Sequence, residues 1–342
     1  MNVRPDIFKG ASILVTECAK VEPGEDVLII TDTASLKYGE AIMAAALSVT
    51  KNVDLVIMPV YGRLHGMNPN KSVCEAMKAV DVVFMPTVWS MSHTKARRDA
   101  SRAGARCLTI PSVDDELFAR TMVETPFEAI KDTVMTVNQM LTEANEAEVT
   151  TPAGTNLWFN LKGRYNIDLE HGWLHKGKKE YEDKFAAPPC VEANIAPLEG
   201  TTQGKIVVDA AHSAIGMVSE PIYVTVEDGN ISKIEGGNEA SLLEMRLEEV
   251  GDPGIRQVAE LGIGLNPKAK LRGQFIEDES IYGTGHVGMG NNESTMGGEL
   301  IVNGHLDNIF WYPTIKLDGK EIFRNGRLVS KDLPELTGYY IK

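Results

Sequence analysis

Two patterns of apolar residues alternate along the first part of the chain, before residue 147. Short runs rich in β-branched residues are apolar throughout, and the segments between them repeat an apolar residue every three or four positions. The runs predict strands buried on both faces, and the intervening segments predict amphipathic helices. The predicted strands are residues 25–32, 53–60, 81–88 and 106–113, and the predicted helices are residues 5–20, 38–50, 70–80 and 126–148.

The pattern changes near residues 147–156, after which glycine, asparagine and turn pairs dominate. Residues 221–237 predict a hairpin around an Asp-Gly-Asn turn, and residues 314–329 contain Asp-Gly and Asn-Gly turns. Such pairs are typical of antiparallel strands joined by tight turns. One short helix is predicted over residues 239–250.

We therefore predict two domains, in agreement with the length of 342 residues. Residues 1–148 are expected to form an α/β N-terminal domain, a parallel sheet with helices. Residues 149–342 are expected to form a strand-rich α+β C-terminal domain. No GxGxxG or Walker motif follows the first predicted strand, so the sequence gives no support for nucleotide binding.

Composition argues against several classes of protein. The chain is 43% hydrophobic and 24% charged, as expected of a soluble globular protein, and no window approaches the ~18 uncharged apolar residues of a membrane span. The net charge of −14 argues against a nucleic-acid or anionic-membrane partner. The four cysteines form no CxxC pair, which argues against a disulfide framework or a zinc-thiolate site and favours a reducing cytoplasm.

The candidate chemistry lies in the second predicted domain. His305 and Asp307 are two positions apart in "VNGHLDNIFW", a spacing that puts both side chains on one face of a strand. Glu192 and Glu199 lie together in the segment of residues 190–200. Glu260 and His286 occur near glycines, which allow close approach of the backbone. Taken singly, each signal is better explained by a surface carboxylate, a packed histidine or a local hydrogen-bonded pair.

Taken together, three carboxylates and two imidazoles without a thiolate suit a divalent ion such as Zn²⁺, Co²⁺, Mn²⁺ or Fe²⁺. Five ligands exceed the three protein ligands that are usual for a catalytic zinc. A bridging carboxylate with two ligands on either side instead holds two metals about 3.5–4 Å apart. Such a set would suit a dinuclear metal site in the C-terminal domain.

Several segments resemble a known family. The segments "AELGIGLNP", "GTGHVGMGNN" and "GHLD", in this order and followed by "IKLDGKEIFRNG", are similar to the thermophilic metallo-aminopeptidases, aminopeptidase T and aminopeptidase S. "EANIAPLEGTTQGKIVVD" is similar to that family's glutamate-containing segment. The resemblance covers most of the second half, and in the first half it extends only to the α/β character.

The resemblance implies a hydrolase with two Zn²⁺, Co²⁺ or Mn²⁺ ions, for which the ligands are Glu192, Glu260, His286, His305 and Asp307. The metals activate a water molecule, and Glu192 or Glu199 is the candidate general base. A cleft between the two domains and a homodimer are also implied. We therefore predict a cytoplasmic, aminopeptidase-like metallo-hydrolase that cleaves an amide-type bond in a small molecule or short peptide.

The sequence departs from the aminopeptidases at one catalytic position. That family has a tyrosine seven residues after the histidine that corresponds to His286, and this chain has Glu293 there. Tyr282, four residues before His286, is the candidate replacement.

Two alternative functions stay open. The chain also resembles the iron-dependent 2,5-dihydroxypyridine 5,6-dioxygenases, which keep the pair of His305 and Asp307 and have a histidine at the position of Glu260. This resemblance implies a mononuclear non-haem Fe²⁺ enzyme that cleaves the ring of a dihydroxypyridine-like substrate. The other alternative is a catalytically silent binding protein that keeps the fold, which Glu293 in place of the tyrosine favours.

Overall fold

The computed structural model describes residues 4–60, 66–165, 172, 174, 184–293 and 297–329. The chain is divided into two compact units, each built from two separate segments. The first unit comprises Met1–Phe127 and Glu170–Cys190, and the second comprises Glu128–Leu169 and Val191–Lys342. The limits of these units differ from the single boundary after residue 148 that the sequence suggests. The predicted domains, residues 1–148 and 149–342, stay a prediction.

The described helices differ widely in length. They are α1 (Pro5–Ile13), α2 (Leu36–Leu47), α3 (Lys71–Met77), α4 (Lys95–Ala103), α5 (Met122–Glu124), α6 (Phe127–Glu143), α7 (Asn238–Val250) and α8 (Phe275–Asp278). Further segments are the π-helical Leu14–Cys18 and Leu117–Thr121 and the 3₁₀-helical Pro253–Arg256. Over the ranges given above, no helix is both long enough and apolar enough to cross a membrane.

The strands are short and most of them lie in the second unit. They are β1 (Val27–Asp32), β2 (Val53–Met58), β3 (Val82–Met85), β4 (Arg106–Thr109), β5 (Glu146–Thr150), β6 (Asn156–Asn160), β7 (Phe185–Ala186), β8 (Glu192–Ile195), β9 (Gln203–Val208), β10 (Ala211–His212), β11 (Gly216–Met217), β12 (Ile222–Glu227), β13 (Asn230–Glu235), β14 (Val258–Gly264), β15 (Thr284–Gly290), β16 (His305–Trp311), β17 (Thr314–Leu317), β18 (Lys320–Arg324) and β19 (Arg327–Leu328).

The first unit contains a parallel sheet in the order β2-β1-β3-β4-β7. Strands β1, β3 and β4 are buried along their whole length, as their continuous apolar character predicts. Leu28, Ile30, Val83, Met85 and Cys107 from these strands pack together in the core. The predicted α/β architecture, a parallel sheet with helices, is confirmed.

The second unit is rich in antiparallel strands, as predicted. One sheet has the order β13-β12-β9-β6-β5-β17-β18-β19, and a second has the order β11-β10-β16-β15-β14-β8. At two hairpin tips, Asp228 with Gly229 and Asp318 with Gly319 have positive φ at both residues. This is the backbone conformation that an Asp-Gly pair favours in a two-residue hairpin turn.

The helix predicted over residues 126–148 is shorter in the structure, because its last residues belong to a strand. Helix α6 ends at Glu143, and β5 pairs with β6 and β17. The backbone N–H of Glu146 donates a hydrogen bond to the Asp318 carboxylate in the turn after β17. Alternate residues of β5 are buried, so sheet contacts with distant segments outweigh the local helical pattern.

Two acidic residues of α8 hold the loop between β14 and β15. The Glu277 carboxylate accepts a hydrogen bond from the backbone N–H of Lys270 and pairs with the Arg272 guanidinium at 2.9 Å. Asp278 accepts a hydrogen bond from the backbone N–H of Arg272 at 2.8 Å. Asp278 is buried; burial, assisted by the charge of Glu277 and opposed by that hydrogen bond, raises the pKa of its carboxyl to about 6.

The substitution Asp278→Asn is expected to stabilise the protein near neutral pH. The folded state raises the pKa of the Asp278 carboxyl above its ordinary value of 3.8, so ionisation of this group destabilises the fold as the pH rises from about 4 to about 6. The free energy of unfolding of the variant, relative to wild type, should increase over this interval by up to about 3 kcal/mol. Urea unfolding at a series of pH values measures the difference.

Asp54→Asn is the control, because Asp54 is an exposed carboxylate on β2. A stability difference between Asp278→Asn and wild type that does not change with pH would contradict the prediction.

Candidate metal centre

The predicted ligands on β14, β15 and β16 lie on one face of the six-stranded sheet. Glu260 is directly opposite Gly288, which is directly opposite Asp307 on the next strand. His286 and His305 are each two positions from these residues along their strands. Side chains that are directly opposite, or two positions apart along a strand, point to the same face. The strand register therefore brings together residues that are far apart in sequence.

Each of the five predicted ligands, including Glu192 on β8, faces a glycine on a neighbouring strand. The facing pairs are Glu192 with Gly264, His286 with Gly262, Glu260 and Asp307 with Gly288, and His305 with Gly290. A Cβ atom on Gly262 would lie 1.9 Å from His286 Nε2, and one on Gly288 would lie 2.7 Å from His305 Nε2. Glycine at these positions thus provides the space that the imidazole rings occupy.

Glu260 lies between the two histidines. Its Oε2 atom is 2.8 Å from His305 Nε2, and its Oε1 atom is 3.5 Å from His286 Nε2. Asp307 Oδ1 is 3.1 Å from His305 Nε2, and Glu192 Oε2 is 3.5 Å from His286 Nε2. Glu260 therefore belongs to two groups, and each group contains one histidine and two carboxylates.

Burial and the neighbouring charges shift the pKa values of these side chains in opposite directions. Burial lowers the pKa of His305, but the charge of Asp307 and the hydrogen bonds to Asp307 and Glu260 hold this pKa well above its ordinary value. Contact with Glu260 likewise raises the pKa of His286 against the effect of burial. Burial alone would raise the pKa values of Glu260 and Asp307, yet the imidazoles hold both below their ordinary range. The centre thus favours positive charge, as a cation site requires.

Neighbouring polar groups orient three of the ligands. The Nδ1 atom of His305 donates a hydrogen bond to the backbone carbonyl of Asn291 at 2.7 Å, which directs Nε2 toward the carboxylates. Glu192 Oε1 accepts a hydrogen bond from Asn194 Nδ2 at 2.8 Å. The backbone N–H of Asp307 donates to Ser213 Oγ at 2.7 Å. The first two contacts hold the side chains of His305 and Glu192 before a metal binds, and the third holds the backbone of Asp307.

The residues present fit a divalent metal ion. Within the group of Glu192, Glu260 and His286, and within the group of Glu260, His305 and Asp307, the potential ligand atoms lie within 4.8 Å of one another. Across the described ranges of the chain, Glu260 Oε1 and His286 Nδ1 are buried without a hydrogen-bond partner. Carboxylate and imidazole ligands together suit several divalent transition metals. The geometry supports metal binding.

Glu199, the other candidate general base, lies outside these two groups. Its carboxylate pairs with the Arg164 guanidinium. It also accepts hydrogen bonds from Asn292 Nδ2 at 3.3 Å and from the backbone N–H of Glu299 at 2.9 Å. These contacts occupy both oxygen atoms of the carboxylate. The catalytic role of Glu199 stays a prediction that these contacts do not favour.

Tyr282 and Glu293 also lie outside the two groups. The Tyr282 hydroxyl accepts a hydrogen bond from the backbone N–H of Leu328 at 3.1 Å, and the ring lies 6.5 Å from the ring of Phe323. The backbone N–H of Glu293 donates to the carbonyl of Leu300 at 3.2 Å. Their predicted catalytic roles stay predictions.

Sequence reasoning missed the residues that orient the ligands. Asn194 carries a usable signal, because it is two positions from Glu192 and so shares its strand face. Asn291 acts through its backbone carbonyl, which no pattern of side chains reveals. Ser213 and Asn292 reach their partners from segments that are distant in sequence.

The chain matches one family over most of its length. The family model described as 2,5-dihydroxypyridine 5,6-dioxygenase, NicX, matches residues 12–330. A curated relative, the 2,5-dihydroxypyridine 5,6-dioxygenase of Pseudomonas putida, is 24% identical over 275 residues. These residues are 77% of this chain and 75% of the relative.

Two solved structures are similar in fold. The 2,5-dihydroxypyridine dioxygenase from Pseudomonas putida KT2440 has a TM-score of 0.79 and 20% identity, and the match covers 96% of this chain and 97% of that chain. Wild-type AmpT from Thermus thermophilus has a TM-score of 0.66 and 17% identity, and the match covers 95% of this chain and 99% of that chain. At these identities the likeness shows the fold alone, which is related to that of the aminopeptidases the sequence resembles.

These comparisons correct the predicted function. The prediction of an aminopeptidase-like metallo-hydrolase, and of a metalloprotease in particular, is wrong, because the matching family is one of dioxygenases. Carboxylates and imidazoles on one sheet face suit several metal chemistries, so their order along the chain does not distinguish hydrolysis from oxygen chemistry. The alternative of a dioxygenase is the better supported one. With a match over residues 12–330, the chain belongs to the 2,5-dihydroxypyridine 5,6-dioxygenase family.

Proposed function

We propose that this protein is a metal-dependent dioxygenase that opens the ring of a small dihydroxylated nitrogen heterocycle. The observation that carries the proposal is the group of Glu260, His305 and Asp307, in which both carboxylates are buried, in a chain of the dioxygenase family. The curated relative is named for 2,5-dihydroxypyridine, so a six-membered ring with one nitrogen and two hydroxyl groups is the proposed type of substrate.

Glu260, His305 and Asp307 would hold the catalytic metal, proposed to be Fe²⁺. Bound Fe²⁺ supplies the redox chemistry by which dioxygen attacks an organic ring. The group has one imidazole and two carboxylates, whereas many non-haem iron oxygenases use two imidazoles and one carboxylate. The second carboxylate adds negative charge, which strengthens the attraction for a divalent cation.

A second divalent cation is proposed at Glu192, Glu260 and His286. The support is the position of Glu260, whose two oxygen atoms lie toward different histidines, Oε2 toward His305 and Oε1 toward His286. A carboxylate that bridges two ions presents its oxygen atoms in this manner. The proposed occupancy is therefore two ions per chain.

When the group of Glu192, Glu260 and His286 holds no ion, Glu192 is the proposed acceptor of a proton from a substrate hydroxyl. It is a buried carboxylate outside the group that contains His305, and Asn194 fixes one of its oxygen atoms. Removing a hydroxyl proton makes the ring richer in electrons, which favours its reaction with dioxygen. A carboxylate near a cation suits this task, because the cation stabilises the oxyanion that forms.

A cytoplasmic homodimer that acts on a small molecule completes the proposal. None of the four cysteines, all of which lie in the described ranges, forms a disulfide, which supports a reducing compartment. The net charge of −14 disfavours nucleic acid and anionic membranes as partners.

The protein loaded with Fe²⁺ is expected to consume dioxygen when 2,5-dihydroxypyridine is added, in a one-to-one ratio to the ring that is lost. With ¹⁸O₂, both labelled atoms should appear in the ring-opened product, as measured by mass spectrometry. Asp307→Asn should lower the rate at least about 10- to 100-fold, because it removes a charged metal ligand.

Glu227→Gln removes an exposed carboxylate of β12 and serves as the control for this experiment. An iron-loaded protein that consumes no dioxygen with any dihydroxypyridine would contradict the proposed reaction.

Metal content should distinguish two ions from one. After loading with Zn²⁺ and dialysis, wild type is expected to retain about two ions per chain and His286→Ala about one, measured by elemental analysis. Glu260→Gln should weaken both sites, because it removes the shared charge. A wild-type content of one ion, or a content that His286→Ala does not change, would contradict the second site while leaving the site of His305 and Asp307 standing.

A further inference from the structure

Arg164, Glu199 and Asn292 form a polar cluster in the second unit, which we call the clamp. The carboxylate of Glu199 pairs with the Arg164 guanidinium and accepts a hydrogen bond from Asn292 Nδ2 at 3.3 Å. Arg164 and Asn292 are buried, and Asn292 has no exposed surface. A partly buried ion pair with further hydrogen bonds holds its members in one arrangement.

The clamp is connected to Glu260 through Asn292. The Nδ2 atom of Asn292 donates a second hydrogen bond, at 3.1 Å, to the backbone carbonyl of Ala259. Ala259 directly precedes Glu260 on β14. A shift of the Asn292 amide therefore moves the backbone from which the shared carboxylate projects.

The clamp is connected to His305 through the segment that follows β15. Asn292 directly follows Asn291, whose carbonyl accepts the hydrogen bond from His305 Nδ1 at 2.7 Å. The other end of this segment is also fixed. Arg164 Nη1 donates to the carbonyl of Gly297 at 2.7 Å, and the backbone N–H of Leu300 donates to Asn292 Oδ1 at 2.7 Å. The position of the Asn291 carbonyl thus depends on the clamp.

We infer that Glu199 is a positioning residue, which acts through Asn292 to set the orientation of His305 and Glu260 and hence the affinity for metal. This role rests on metal binding in the proposed function and not on the identity of the reaction. It differs from the role of a general base, since a guanidinium and two N–H groups already contact both oxygen atoms of this carboxylate.

Two variants disturb the clamp in different ways. Glu199→Gln removes the charge that balances the buried Arg164. Gly298→Ala keeps the ion pair but places a Cβ atom 2.1 Å from Asn292 Cγ, so the amide has to move. Each variant is expected to bind Zn²⁺ about 10- to 100-fold more weakly than wild type, as is usual when residues behind a metal ligand are altered. Competition with a chromogenic chelator measures the affinity.

A second measurement follows the exchange of the His305 Nδ1–H proton in protein without metal. In wild-type apoprotein with ¹⁵N-labelled histidine, the Nδ1–H proton of His305 should exchange slowly, because it donates to the Asn291 carbonyl. Faster exchange is expected in both variants. Circular dichroism and thermal unfolding establish that each variant is folded, and Gly298→Ala decides the test alone if Glu199→Gln does not fold.

The control is Glu227→Gln, which should bind Zn²⁺ within twofold of wild type. Zn²⁺ affinity within twofold of wild type in the folded clamp variants would overturn the proposal, even if their turnover fell, since that result is expected of a general base. A wild type that binds Zn²⁺ tightly but consumes no dioxygen would contradict only the proposed reaction. A wild type that binds no metal would overturn the clamp proposal and the metal sites together.

Discussion

Five ligand-type side chains fit side by side on one face of the six-stranded sheet because a glycine stands opposite each of them. The imidazole of His286 occupies the space that a side chain at position 262 would fill, and His305 does the same at position 288. Glycine in a strand costs about 0.5–1 kcal/mol relative to alanine. Leu261, Ile263 and Val287, which alternate with these positions and are fully buried, offset that cost from the other face of the sheet.

Much of the fold can be predicted from the sequence, because it follows from local patterns. The apolar runs of the first half give the buried parallel strands, and the Asp-Gly pairs give the hairpin turns of the second. Two features depend on contacts between distant segments and are not predictable in this way. Glu146–Thr150 continue a helical pattern but pair with β17, and Phe185–Ala186, which come after β6 in the chain, pair with β4 in the parallel sheet.

Some features of the candidate site can likewise be predicted from the sequence, and others cannot. The spacing of His305 and Asp307 predicts that they share a strand face, and the register of β14 and β15 places Glu260 and His286 beside them. The sequence does not reveal what holds these groups, because Asn291 contributes a backbone carbonyl. It also fails to reveal the reaction. The same ligand types serve hydrolysis and oxygen chemistry, and the difference lies in the metal, the substrate and the access of dioxygen.

The position of Glu260 links the two halves of the centre through one delocalised charge. Its carboxylate raises the pKa of His286 through Oε1 while Oε2 contacts His305. A cation held at Oε2 would draw on part of that charge, which leaves less of it for a cation held at Oε1. Ion binding at the two groups would therefore be thermodynamically coupled, and by reciprocity each ion would change the affinity for the other. A single side chain thus makes the occupancy of one group depend on the occupancy of the other.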